Sequence, residues 1–277
     1  MLLVAALGAS GCADDADVTR IHDYVALGDS FTSGAGLPDE VVSTGKCGQS
    51  RLSYPYLVAE SIHADLGDAS CGGATTENGA VPQQRPDGTW PAQLDRLRRT
   101  TDLVTVGLGA NDFSWFFGLM FGCTATAAAD PTGGPCQKQG PASASDLTAL
   151  PPQIAARLEA LLNQVHRRAP DARVLLVGYP QPVPARGTCP ELPLATGDYP
   201  FVRAQWSAMD AAMRRAAAAA GATYVEVLGP SDGHDICAGA DAWVNGFEAR
   251  PGVAAAYHPL ASCQAAVAEL VEKALEQ

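Results

Sequence analysis

Tyr24-Val25-Ala26-Leu27-Gly28-Asp29-Ser30 (YVALGDS) decides the fold. Four apolar residues run without a polar interruption, stop at a glycine, and pass directly into turn-forming residues. A continuous apolar run of this length, cut off by Gly, reads as a strand buried on both faces. Working outward, the pattern recurs. Asp102–Leu108 (DLVTVGL), Arg173–Gly178 (RVLLVG) and Thr223–Val227 (TYVEV) read as three further strands. Helical spacing fills the intervals. It spans Tyr54–Leu66 through Leu57, Val58, Ile62 and Leu66. It returns through Leu147, Leu150, Ile154, Leu158, Leu161, Leu162 and Val165 until Pro170, then over Phe201–Ala220 and over Pro259–Leu275. Buried strands alternating with helices imply a parallel sheet covered on both faces, an α/β class. Ligands of such sheets bind beyond the carboxyl ends of the strands. The residues that follow each strand are therefore the ones to inspect.

The 277 residues carry 18 Lys and Arg against 30 Asp and Glu, a formal charge of −12. Nucleic acid, which needs clustered cations, is excluded as a partner, as is a polybasic grip on anionic lipid. The hydrophobic share of 47% rules out a disordered chain. No fixed-period repeat and no clear linker interrupt residues 23–277, read as a single domain acting as a monomer. Segments 122–146 and 181–200, rich in Gly, Pro, Ala and Thr, read as loops over it.

Residues 1–11 resemble the end of a bacterial lipoprotein export signal. Ala9-Ser10-Gly11 stand before Cys12, and lipid attached to Cys12 would be the chain's one link to a membrane. Residues 12–22 would then be a polar tether, and the protein would lie secreted or anchored outside the cell. The other seven cysteines, Cys47, Cys71, Cys123, Cys136, Cys189, Cys237 and Cys263, contain no CxxC pair, so disulfides in an oxidising compartment are favoured over a metal or redox site. Pairing neighbours in sequence would leave Cys263 over, but six cysteines allow 15 pairings and spacing does not choose among them.

After the first strand stands Gly28-Asp29-Ser30-Phe31-Thr32-Ser33-Gly34, and after the second Gly109-Ala110-Asn111-Asp112-Phe113; His258-Pro259 lies near the C-terminus. Ester hydrolysis needs a hydroxyl nucleophile, an imidazole base and donors for an oxyanion. Ser30, His258 and Asn111 supply all three. Asp29 is read as a turn residue. His22, His63 and His166 are read as surface or packing residues, and His234 as a loop element held beside Cys237. The run 113–121 (FSWFFGLMF) is apolar except for Ser114 and Gly118 and follows Asn111 directly. It is either core or one wall of an acyl-chain pocket, with Phe113, Trp115, Phe116 and Phe117 as candidate substrate contacts.

Taken together these blocks resemble the GDSL, or SGNH, hydrolase family, with Cys71-Gly72-Gly73-Ala74-Thr75-Thr76 as the remaining block. The likeness runs from Tyr24 to the end and is nearest to secreted actinomycete esterases and lipases. It implies a three-layer, flavodoxin-like α/β/α sandwich with no metal and no organic cofactor. It implies that Ser30 is the nucleophile and His258 the base, with an oxyanion hole from the N–H groups of Ser30 and Gly73 and the amide of Asn111. It also implies the bridges Cys47–Cys71, Cys123–Cys136 and Cys189–Cys237. The family's Asp three residues before the histidine is replaced by Ala255. A Ser–His dyad is expected, the ring oriented by the Ala255 carbonyl or by a distant carboxylate from Asp232, Asp235 or Asp241. The expected activity is that of a carboxylesterase or lipase, with phospholipase activity within its range. The alternatives are a polysaccharide O-deacetylase and a non-catalytic, ligand-binding surface lipoprotein.

Overall fold

A computed structural model describes residues 20–42, 47–139 and 147–277. The export segment, Cys12 and most of the tether lie outside the described residues. The sheet is built from β1 (Asp23–Gly28), β2 (Asp65–Asp68), β5 (Leu103–Gly107), β6 (Arg173–Val177) and β7 (Thr223–Val225), and β3 (Gln83–Arg85) pairs antiparallel with β4 (Gly88–Trp90) in a separate hairpin. The five strands are parallel in the order β2-β1-β5-β6-β7. That is the flavodoxin-like order, and its switch point falls between β1 and β5.

Residues two apart on a strand share a face. Val25, Leu27, Val104, Val106, Val174 and Leu176 enter one core, under helices α3 (Leu150–Arg168) and α4 (Tyr199–Ala220). Tyr24, Ala26, Leu103, Leu175, Val177 and Val225 enter the other, under α2 (Tyr54–Ile62) and α5 (Ala261–Leu275). The sheet is therefore sandwiched, as expected from strands with no polar face.

Several boundaries differ from the sequence reading, among them the starts of α3 at Leu150 and of α4 at Tyr199 and the end of β7 at Val225, and two more have a clear physical reason. The helix expected to run to Leu66 stops at Ile62, where His63 turns into the left-handed region (φ 57°). Leu66 instead sits in β2, paired with Tyr24. Its side chain meets the same apolar layer as α2, so the helical spacing continued by coincidence across a turn. The last helix starts at Ala261, not Pro259, because Pro259 bridges to Val244 and the Leu260 N–H donates to the Trp243 carbonyl. Tertiary pairing overrides the local preference for Pro in a first helical turn.

The bridges are Cys47–Cys71, Cys123–Cys136 and Cys189–Cys237, and Cys263 is free and buried. Among the described residues no helix is long and apolar enough to cross a membrane.

Candidate active site

β1 delivers Ser30 at the switch point. Gly28 is clamped through both its backbone groups: its N–H donates to Gln93 Oε1 and its carbonyl accepts from Gln93 Nε2, each at 2.8 Å. Asp29 caps the short helix α1 (Ser30–Ser33), its Oδ1 accepting from Phe31 N–H at 2.9 Å. Its other oxygen accepts from the Tyr179 hydroxyl at 2.7 Å, and the Tyr179 oxygen accepts from Ala110 N–H at 3.2 Å. Asp29 is thus more than a turn residue. Through Tyr179 it joins the turn carrying Ser30 to the loop carrying Asn111. Burial is the main force on its carboxyl and pushes the pKa up to about 7, against the pull of the Tyr179 and Phe31 hydrogen bonds.

His258 is brought to Ser30 from 228 residues away, with Nε2 2.8 Å from Oγ. Gly36 allows the approach. It has φ +83°, and a Cβ there would lie 2.4 Å from the Ala255 nitrogen, whose N–H donates to the Ala35 carbonyl. The imidazole packs against Phe31 and edge-on to Phe116, with ring centroids 4.9 and 5.6 Å away.

The orienting carbonyl is that of Ala256, 2.6 Å from Nδ1, and not that of Ala255. Tyr257 adopts φ +61°, which turns the Ala256 carbonyl back toward the ring. The Ala255 oxygen is occupied, accepting from His258 N–H and from Asn245 Nδ2. Asp232 pairs with Arg203, and Asp235 accepts from Cys237 N–H. The backbone carbonyl of Asp241 binds His234 Nδ1, so His234 is a loop element stacked on Trp243, as read from sequence. A carbonyl only accepts, so Nδ1 carries the proton and Nε2 presents a lone pair to the Ser30 hydroxyl. Burial lowers the His258 pKa below 6.5, and the Ala256 carbonyl partly offsets this.

The candidate oxyanion donors come from three segments. Ser30 N–H opens α1, where no intrahelical acceptor exists. Asn111 donates one amide hydrogen to the Ala74 carbonyl at 3.0 Å, and its Nδ2 carries a second. Asp112 holds the two loops together. Its carboxylate accepts from the N–H and hydroxyl of Thr76, with the Arg157 guanidinium 3.5 Å away. Gly73 has φ +76° and belongs to the segment tied down by the Cys47–Cys71 bridge.

The apolar run after Asn111 divides. Trp115 is sealed in the core against Trp206, and Phe116 is buried against Phe31 and His258, so Trp115 is no substrate contact. Phe113 and Phe117 remain 38% and 58% exposed. Arg157 lies 3.8 Å over the Phe113 ring. The split arises because Phe113 and Ser114 both take left-handed backbone, with φ 55° and 57°, which rotates the next turn inward. Sequence reading missed Gln93, Tyr179 and Gln83. Of these only Tyr179 carried a signal, standing just beyond the third strand.

A parallel sheet of this order, with a serine after β1 and an asparagine after β5, defines an SGNH-type carboxylic ester hydrolase. The GDSL-like lipase/acylhydrolase family model matches residues 26–266, and the chain belongs to that family. It is 41% identical over 233 residues to Lipase 2 of Streptomyces coelicolor, covering 83% of this chain and 77% of that one. The crystal structure of a phospholipase A1 from Streptomyces albidoflavus NA297 superposes with a TM-score of 0.72 at 26% identity, covering 91% of this chain and 99% of that one. An extracellular lipase from Streptomyces rimosus superposes with a TM-score of 0.70 at 28% identity over the same shares.

Proposed function

We propose that the chain is an exported serine carboxylesterase that hydrolyses lipid esters through an acyl-enzyme on Ser30. The observation that carries this reading is the 2.8 Å contact from His258 Nε2 to Ser30 Oγ, with Nδ1 engaged by a carbonyl. Nε2 takes the hydroxyl proton as Oγ attacks the ester carbonyl. The resulting oxyanion is held by the N–H groups of Ser30 and Gly73 and the free amide hydrogen of Asn111. Collapse expels the alcohol, which leaves with the proton from His258. Water then repeats the sequence on the acyl-enzyme. The imidazolium is stabilised by the Ala256 carbonyl dipole in place of a carboxylate.

Exposed Phe113 and Phe117 in the run that follows Asn111, and the likeness to a phospholipase A1 and two lipases, support lipid-like acyl groups. Three disulfides support an oxidising compartment. We place the chain outside the cell, secreted or lipid-anchored through Cys12, as a monomeric single-domain enzyme on residues 23–277.

The test is turnover of p-nitrophenyl esters from acetate to palmitate. We expect a burst and a preference for longer chains, and in Ser30→Ala a loss of about 10⁴-fold or more. A strict preference for acetate would favour the polysaccharide deacetylase. Neither burst nor turnover would mean a binding protein, and a fully active Ser30→Ala would end the nucleophile assignment.

A further inference from the structure

The hairpin β3–β4 has no part in the family blocks, yet it grips one of them. Gln83 and Arg85 are two apart on β3 and so share a face. Both donate to the carbonyl of Gly72, from Nε2 at 3.0 Å and from Nη1 at 2.5 Å. The Gly72 N–H is engaged as well, donating to the Cys47 carbonyl at 2.9 Å. The peptide joining Gly72 to Gly73 is trans, so its N–H, that of Gly73, points opposite to the gripped carbonyl. That N–H donates to no group among the described residues. The segment flanks the nucleophile: a Cβ built on Gly72 would lie 4.0 Å from Ser30 Cβ and 3.8 Å from Arg85 Nη1.

We infer that Arg85, with Gln83, is a positioning residue that aims and polarises the Gly73 N–H as an oxyanion donor. Two effects follow from donors on one carbonyl. The peptide plane cannot rotate without breaking both bonds, which matters at Gly73, where φ +76° leaves a glycine backbone little steric guidance. A charged donor on the oxygen also draws electron density across the amide and makes the N–H at its other end a stronger donor, the cooperativity of hydrogen-bonded chains. Asp87, 3.2 Å from Arg85 Nε, fixes the guanidinium over the carbonyl. Negative charge develops at the oxyanion only in the transition state, so the effect belongs in kcat and in the binding of transition-state mimics, not in KM.

This inference rests on the serine esterase reading, and its test keeps the two apart. Arg85→Ala, Arg85→Lys and Ser30→Ala are assayed on p-nitrophenyl butyrate, with inhibition by an alkyl trifluoromethyl ketone, which adds to the serine as a tetrahedral oxyanion. Arg85 is partly exposed on a surface hairpin, and thermal melting checks that each variant is folded. Arg85→Ala should lower kcat about 10- to 100-fold, less than the 10²–10³ for outright loss of a donor, with KM held within about twofold. Affinity for the trifluoromethyl ketone should fall in step with kcat/KM. Arg85→Lys, which keeps charge and donor, should recover most of the loss. Folded Arg85→Ala with kcat within about twofold of wild type, or a loss carried by KM with the ketone unaffected, would overturn the inference. Activity surviving in Ser30→Ala would instead overturn the reading beneath it.

Discussion

Asp29 stands directly before Ser30, wholly buried, with a carboxyl pKa pushed up to about 7 by desolvation. In the unfolded chain the same group titrates near 3.8. Between those values the native state holds a proton that the unfolded state has released. Stability must therefore fall as pH rises through that window, since the unfolded state binds fewer protons there. Each pH unit of such imbalance is worth about 1.4 kcal/mol. From pH 5 to pH 8 the group alone should remove about 2–3 kcal/mol, most of it below pH 7, after which the curve flattens. Other groups also titrate: Asp68 is raised to about 7 by burial, Asp112 is raised, and His258 is lowered. Comparing wild type with Asp29→Asn cancels them. Asn keeps an Oδ1 for the Phe31 N–H and has no charge to desolvate. The assay is urea unfolding followed by circular dichroism across pH 5–8. The stability of Asp29→Asn minus that of wild type should climb by about 2–3 kcal/mol with pH. A difference flat within about 0.5 kcal/mol would mean that Asp29 is ionised in the native state throughout, and that its hydrogen bonds to Tyr179 and Phe31 outweigh burial.

In the proposed mechanism His258 serves as a base only when neutral, and burial holds its pKa below 6.5, so kcat/KM should lose half its value on acidification only below pH 6.5. A midpoint well above neutrality would indicate a carboxylate facing Nδ1 in place of the Ala256 carbonyl. The paired substitutions Cys47→Ser and Cys71→Ser remove a bridge spanning 24 residues, worth about 3 kcal/mol on the chain-entropy model. The melting temperature should drop by about 6–10 °C. Because this bridge also anchors the Gly72–Gly73 segment, kcat should fall at temperatures where the protein remains folded, and an unchanged kcat would show that the hairpin holds that segment unaided.

The sheet was legible because its strands are buried on both faces. Tyr24–Leu27 and Val174–Val177 are apolar at every position, and Leu103–Gly107 is broken only by the buried Thr105, which leaves little ambiguity about strand or layer. The edge strand Asp65–Asp68 was not legible: three of its four residues keep some exposure, and two are Asp. Ser30, Asn111 and His258 could be named because they form an ordered set, two of them directly after strands and the third beside the last helix, although each signal alone is weak. What orients them could not be named, since the partners are ordinary residues whose meaning is a contact. Gln93 on Gly28, Tyr179 between Asp29 and Ala110, and Gln83 on Gly72 are separated from their partners by 65, 150 and 11 residues respectively.

By itself the sequence determined the class of fold and pointed to Ser30 and His258, which the structure brings to 2.8 Å, because hydrophobic periodicity and side-chain chemistry are local properties. The tertiary structure alone decided which backbone carbonyl faces His258, which aromatics stay exposed, and what grips the Gly72 carbonyl. Those choices turn on backbone rotations, such as the left-handed turns at Phe113, Ser114 and Tyr257. Such turns are unfavourable for these side chains in isolation and are held only by the packing of the complete molecule.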